Sequence, residues 1–320
     1  MVIYYDFKLI IGKARDIRCM KYAIVDLGSN TIRLSVYNTL EGGGFDLLFS
    51  EKEMAGIVNY IDQGILSRAG VDRACAALTS FRTLLGHFGM EEMHVFATAS
   101  LRNIRNTDEA VQAIRRCTGI QVDVLSGSAE AELGYYGALL NCDLKAGAMF
   151  DIGGGSSEIM AVRDGAIQDA QSLPVGSLNL FNQCVTKIWP KKAELRDMQA
   201  RIDQVLDTAD LPEKRAKNAC AIGGTARAVL KIANAYYGKS QENRTLTLAE
   251  LETVTRVLVK RDTDARKLIL RSCPDRIHTI LPGILLMDTL GRSLCREQLF
   301  ISKYGVREGY LCRKLLNAGT

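Results

Sequence analysis

Two short stretches of this chain set an aspartate at the end of an apolar run and follow it with glycine and small hydroxyl or amide residues. They are Val25-Asp26-Leu27-Gly28-Ser29-Asn30-Thr31 and Phe150-Asp151-Ile152-Gly153-Gly154-Gly155-Ser156. Glycine admits positive φ and a close approach of the backbone, and successive N–H groups in such a turn form a concavity that holds anions. A carboxylate at the base of the turn adds an oxygen ligand suited to a hard divalent cation. Two such turns, one from each of two lobes, are the parts needed to clamp a phosphate chain and its metal.

The elements that would position them follow from periodicity. After each turn apolar alternation resumes, at Ile32, Leu34 and Val36 and again from Ile159, which is strand spacing. Both turns therefore read as β-hairpins. A Rossmann or P-loop site would need a helix start directly after the glycines, and no G-x-x-x-x-G-K-[ST] run occurs. Strands are predicted at 22–27, 32–37 and 45–50, with Gly42-Gly43-Gly44 as the second turn, then a helix over 67–88 ending at Gly89. A strand at 93–98, a helix at 107–117 ending at Gly119, a strand at 121–125 and a helix at 128–140 complete the first half.

The second half repeats the opening, with strands at 147–152, 157–163 and 166–173. A strand at 220–222 runs into Gly223-Gly224-Thr225 and a helix over 226–237, and Thr247 with Glu250 forms a capping box. A last strand at 299–302 precedes a terminal helix over 306–316. A meander followed by alternating helices and parallel strands, occurring twice, describes a duplicated α/β fold with a cleft between lobes. The length of 320 residues supports that division, with lobes expected at 20–135 and 136–320. Residues 1–19 read as an N-terminal extension, because Met20 directly precedes the first strand.

Composition narrows the function classes. The net charge of +5, from 41 Lys and Arg against 36 Asp and Glu, is dispersed; it suits an anionic substrate and argues against a nucleic-acid groove. Nine cysteines without a C-x-x-C pair fit buried free thiols in a reducing compartment, so a cytoplasmic location is expected. No run of about 18 apolar residues is present, so no membrane span is expected. His87, His94 and His278 share no metal-ligand spacing.

Six segments together carry a resemblance. The two turns, Phe96 to Asn106, Leu125-Ser126-Gly127-Ser128-Ala129-Glu130-Ala131-Glu132, Gly223-Gly224-Thr225 and Tyr304-Gly305-Val306-Arg307-Glu308-Gly309 resemble, in order, the exopolyphosphatase and guanosine pentaphosphate phosphatase (Ppx/GppA) family. That family is similar to actin, sugar kinases and heat-shock chaperones. The resemblance implies two lobes of ribonuclease H-like (actin-like ATPase) fold with an interdomain active-site cleft. It also implies hydrolysis of a terminal phosphoanhydride, from inorganic polyphosphate or the 5′ end of pppGpp, with Mg²⁺; Mn²⁺ is an alternative, and a homodimer is left open.

Carried over by motif, Glu130 matches the family's catalytic glutamate in S-G-x-x-E-A and is expected to act as general base on the attacking water. The competing view is a helix N-terminal glutamate that merely complements the macrodipole. Arg102 is expected to grip phosphate, and Arg33 is a second candidate against a plain solvated arginine. Asp151 is the expected magnesium anchor, with Glu158 assisting through water. Asp26 holds the equivalent place in the first lobe, with a simple turn cap as its alternative. Phosphate oxygens are expected to meet Gly28, Ser29, Asn30 and Thr31, then Gly153, Gly154, Gly155, Ser156 and Ser157, and Gly223, Gly224 and Thr225 at a helix N-terminus.

Two departures stand out. Ser157 replaces the family's usual threonine, which keeps the hydroxyl, and Ala129 replaces a frequent acid. Glu132 cannot substitute for that acid, since positions two apart on a helix face different ways. The C-terminal module of longer family members does not follow the last motif here, so weaker hold on long polyphosphate is expected. The competing classes are a small-molecule kinase, whose acceptor pocket and aspartate base have no motif here, and a nucleotide-gated interaction protein.

Overall fold

The computed structural model describes residues 20–41, 44–212 and 214–316; the expected extension at 1–19 and the Gly42-Gly43 part of the second turn lie outside these. The chain divides into two compact units, Met1–Tyr136 with Arg307–Thr320, and Gly137–Val306.

Unit 1 holds, in chain order, β1 (Lys21–Leu27), β2 (Ile32–Thr39), β3 (Phe45–Glu53), the short pair β4 (Ile61–Asp62) and β5 (Ile65–Leu66), α1 (Arg68–Gly86), β6 (His94–Ala97), α2 (Ala99–Arg102), α3 (Thr107–Thr118), β7 (Val122–Val124) and α4 (Gly127–Leu139), whose last turn passes into unit 2. The main sheet has the order β3-β2-β1-β6-β7, the first three strands antiparallel and the last two parallel to β1. Period-2 alternation splits its faces. Ala23, Val25, Leu27, Leu34, Val36, Val95 and Ala97 join Val71, Leu78, Phe81 and Ile114 from α1 and α3 in one apolar core. Burying each large aliphatic or aromatic side chain there contributes about 1.5–3 kcal/mol.

The opposite face mixes polar residues (Asp26, Arg33, Ser35) with buried Ile24, Tyr37 and Phe96, and the last described residues cover it. Helix α11 (Val306–Tyr310) continues as a wider π turn over Leu311–Leu316, where the sequence predicts one regular helix throughout. Tyr310 stacks on Phe96 with ring centroids 4.9 Å apart and its hydroxyl donates to Asp123 Oδ2 at 3.3 Å. Gly309 is required here, because a Cβ would run into the Leu133 carbonyl of α4.

Unit 2 contains β8 (Gly147–Ile152), β9 (Ser157–Arg163), β10 (Ala166–Leu173), α5 (Ser177–Cys184), α6 (Lys192–Leu206), β11 (Ala216–Ile222), α7 (Gly223–Tyr237), β12 (Thr245–Thr247), α8 (Leu248–Lys260), α9 (Thr263–Ser272), α10 (Ile280–Leu294) and β13 (Cys295–Ile301). Its sheet order, β10-β9-β8-β11-β13-β12, repeats that of unit 1 and adds one antiparallel edge strand. Three antiparallel strands beside two parallel ones, found in both units, is the ribonuclease H-like arrangement. Phe150, Ile152, Ile159, Ala221, Leu299 and Ile301 form a core with Met198, Val229, Leu251, Val254 and Leu286 from the helices.

Several elements differ from the sequence reading. β11 starts at Ala216, four residues before the strand expected at 220–222. Helix α7 starts at Gly223 and not at Ala226, so the glycines form its first turn. β13 starts at Cys295, four residues before the predicted strand. Helix α10 gave no periodic signal because it is buried on nearly every side. The capping box holds as predicted: Glu250 N–H donates to Thr247 Oγ1 and Thr247 N–H to Glu250 Oε2, both at 3.1 Å.

Candidate active site

The two hairpins are built to one plan. In unit 1 the last strand pair is Leu27 with Ile32; in unit 2 it is Ile152 with Ser157, so each turn contains four residues. A Cβ on Gly28 would come within 2.9 Å of the Thr31 carbonyl oxygen, and one on Gly153 within 3.0 Å of that of Ser156, which is why both positions are glycine. Each turn also presents its carbonyls to a docking segment. Gly56 N–H donates to Asn30 O at 2.9 Å and Val58 N–H to Ser29 O at 3.1 Å. In unit 2 the first N–H groups of α5 do this: Ser177 donates to Gly153 O at 2.9 Å, and Leu178 and Asn179 to Gly154 O at 2.9 and 3.0 Å.

What flanks the turns differs. Asp26 lies directly across the ladder from Arg33, whereas Asp151 in the same register lies across from Glu158. Directly opposed residues share a sheet face. Burial pushes the Asp26 carboxyl up, and the Arg307 and Arg33 guanidinium groups oppose that rise. Glu158 is 2% exposed, and its Oε1 accepts from Ser156 Oγ and Ser172 Oγ, both at 2.7 Å.

Beside the first turn, Ser100 Oγ donates to the Leu27 carbonyl and ties α2 to the hairpin. Arg102, at the end of α2, donates through Nη1 to Glu130 Oε2 at 2.5 Å and to the Leu125 carbonyl at 3.3 Å. The two side chains are only 15% and 10% exposed. Glu130 sits in the first turn of α4, where Ser126 caps the helix by accepting from Ala129 N–H at 3.1 Å. Glu132 is exposed, on a different face. The arrangement gives one buried carboxylate oriented by one guanidinium, the geometry of a held base beside an anion-binding group.

Beside the second turn, β11 ends with Ile222 across from Asp151, and Gly223 follows with φ +84°. A Cβ on Gly223 would collide with Asp151 Oδ1, so glycine here lets the carboxylate lie against the N-terminus of α7. The Arg276 guanidinium covers Gly224, with its Cζ 3.1 Å from where a Cβ would stand. Burial pulls the Arg276 pKa down, while Asp275, Cys273 and Asp151 hold it up. His278 is lowered by burial and then by the Arg276 charge, which leaves it mainly neutral near pH 7.

Several of the predicted hydroxyls already have partners within their own unit. Ser157 is fully buried and donates to the Val175 carbonyl at 2.7 Å. Thr31 Oγ1 donates to Met54 Sδ at 3.4 Å, and Ser156 serves Glu158. Thr225 is buried, its methyl group against Gly283. Ser29 is buried as well. The backbone of the turns, more than these hydroxyls, is thus what remains for an anion. Sequence reasoning missed Arg276, whose only local signal is its place behind Pro274 in a 3-10 turn, and gave Arg307 no role.

For a metal, the chemistry of the donor set is informative. Asp151 and Glu158 offer hard oxygens on one face, next to the Gly153–Ser156 turn. Magnesium takes one or two carboxylates, keeps waters and shares substrate phosphates, so these residues fit it.

Comparison with known proteins shows the family. The profile of the Ppx/GppA phosphatase family matches residues 35–318. Exopolyphosphatase 1 of Mycobacterium leprae is 26% identical over 304 residues, covering 92% of this chain and 90% of that protein. A guanosine-5′-triphosphate,3′-diphosphate pyrophosphatase of Pseudoalteromonas translucida is 24% identical over 296 residues, covering 91% of this chain and 58% of its own length. Among solved structures, an exopolyphosphatase from Cytophaga hutchinsonii has a TM-score of 0.79 at 21% identity, covering 94% of this chain and 99% of the other. A family member from Aquifex aeolicus has a TM-score of 0.74 at 20% identity, covering 95% and 100%. These structures share the fold. With its family profile matched from β2 to the C-terminal segment, the chain belongs to the Ppx/GppA phosphatase family and is a hydrolase.

Proposed function

We propose that the chain releases orthophosphate from a terminal phosphoanhydride, in inorganic polyphosphate or at the 5′ end of pppGpp, with Glu130 as the general base. The observation that carries this reading is the buried Glu130–Arg102 pair at 2.5 Å, because it supplies a carboxylate in a fixed orientation beside a guanidinium. Glu130 orients the attacking water and takes its proton as the P–O bond to water forms. Arg102 is placed to exchange part of its grip on Glu130 for the oxygens of the reacting phosphoryl group. The backbone N–H groups of the Gly28–Thr31 turn and of Gly154–Ser156 hold phosphate oxygens, while Gly153 N–H closes its own turn on the Ser156 carbonyl at 3.0 Å.

Asp151 and Glu158 would hold Mg²⁺, which when bound offsets charge on the phosphate oxygens. Arg276, above Gly224, extends the positive surface at the start of α7. The curated relatives carry exopolyphosphatase and guanosine pyrophosphatase names, which supports both substrates.

The test is phosphate release from short polyphosphate, long polyphosphate and pppGpp, measured side by side with Mg²⁺ and with chelator. Release from at least one substrate, lost with chelator and restored by Mg²⁺, is expected. No release from any of them would overturn the proposal.

A further inference from the structure

The Tyr304–Gly309 motif brings two charged residues, Arg307 and Glu308, that have no part in the hydrolysis described above. Their contacts place them on the face of the unit 1 sheet opposite its apolar core. Arg307 Nη1 donates to Ser35 Oγ at 2.5 Å, and the buried Tyr37 hydroxyl donates to Glu308 Oε1 at 2.5 Å. Burial and then the Glu308 charge push the Tyr37 pKa up, so this hydroxyl stays a donor. Along β2, Arg33, Ser35 and Tyr37 are alternate residues and share one face, and Asp26 on β1 stands across from Arg33. A diagonal neighbour in such a ladder lies about 7–8 Å away, within reach of a long side chain. A guanidinium seated on Ser35 is thus a neighbour of Asp26. Asp26 in turn flanks the turn: a Cβ on Gly28 would lie 3.8 Å from Asp26 Oδ1.

We propose that Arg307 is a positioning residue for the unit 1 phosphate turn: seated on Ser35, it offsets the Asp26 charge beside Gly28 so that a phosphate oxyanion can approach. This rests on the reading of that turn as a phosphate site. A lone carboxylate at the base of the turn would repel the ligand; Arg33 and Arg307 together counter that charge. Glu308, fixed by Tyr37, locks the segment that delivers Arg307. The charged groups on this face are Arg33 on β2, Lys52 across from it on β3, and Arg307 and Glu308 on α11, with His94 on β6 and Asp123 on β7 further along. Arg307 is the stronger of the two cations that counter the burial of Asp26, and Glu308 acts against them.

The experiment uses the full chain with Arg307→Met, Arg307→Lys and Ser35→Ala. Two readouts are taken: the pH profile of KM for polyphosphate with Mg²⁺, and the titration midpoint of the Asp26 carboxyl by ¹³C NMR without substrate, assigned with Asp26→Asn. In Arg307→Met, KM is expected to rise about tenfold at a pH where Asp26 is ionised and the Asp26 midpoint to move to higher pH, with the rise in KM shrinking as pH falls through that midpoint. Arg307→Lys restores both, and Ser35→Ala moves them the same way by less; these two carry the test if Arg307→Met does not fold.

An active enzyme in which neither KM nor the Asp26 midpoint responds overturns the inference. A midpoint that moves while KM stays put also overturns it, since the phosphate is then not at this turn. If the wild-type chain releases no phosphate but the midpoint moves, the hydrolase substrate reading fails while the Arg307–Asp26 coupling stands.

Discussion

Asp26 and Asp151 occupy the same register of the same hairpin, one in each unit, yet one faces an arginine and the other a glutamate. The consequence is chemical. In unit 1 Arg33 and Arg307 oppose the rise that burial imposes on the Asp26 carboxyl, which fits the anion role proposed for its turn. In unit 2 two carboxylates share a face, which fits the proposed Mg²⁺ site. The glycines, the four-residue turns and the docking of their carbonyls are common to both units. The two units thus share the backbone device and differ in the side chain opposite the acid, and the proposed difference in role rests on that one change.

The largest expected effect breaks the similarity outright, because Glu130 has its partner Arg102 within unit 1. Glu130→Gln should fold and bind substrate but lose about 10²- to 10⁴-fold in kcat. Phosphate release against Tm checks it, and near-normal kcat would reassign the base.

The contrast between opposing residues is sharpened by two parallel substitutions. Glu158→Gln is expected to raise the Mg²⁺ concentration for half-maximal rate by about 10- to 100-fold. Arg33→Gln should instead raise KM for polyphosphate while leaving the Mg²⁺ requirement unchanged. Magnesium titrations of both variants decide it, and identical behaviour would erase the distinction between the turns.

Where the units share a device, they should fail alike. Gly28→Ala and Gly153→Ala each push a methyl group against a backbone carbonyl at 2.9 and 3.0 Å, so each should cost about 1–3 kcal/mol by urea denaturation. A large difference between them would show that one turn relaxes where the other cannot.

The smallest effect belongs to unit 2 alone. Glu194 accepts from Lys191 N–H at 2.6 Å and from Thr186 Oγ1 at 2.7 Å, and these bonds hold its pKa below the usual 4.5. A carboxyl lowered in the folded state contributes stability above its unfolded pKa and loses it as pH falls through the folded value. Wild-type Tm should therefore drop more steeply below about pH 4.5 than that of Glu194→Gln, as thermal melts across pH would show.

Much of this was legible in the sequence. Asp26 and Asp151, both glycine turns and the strands around them follow from period-2 alternation and from glycine placed where a carbonyl crowds the Cβ. The Thr247–Glu250 box was equally local. Other features are long-range pairings that no window of sequence contains. Tyr37 and Glu308 are 271 positions apart, and Arg102 and Glu130 are 28 apart. The sequence reading put Arg102 and Glu130 in separate roles; the structure joins them in one ion pair. Arg276 carries no local pattern at all, since a buried guanidinium over a glycine is defined only by what packs above and below it.

The chain by itself therefore determined where the backbone bends at the two glycine turns and which acids stand at the bends, because glycine sterics and strand alternation act between neighbours. Only the tertiary structure decided which cations meet those acids. A charge reports its partner through space and not along the chain, and here the partners arrive from α2, from the Pro274–Arg276 turn and from the C-terminal segment.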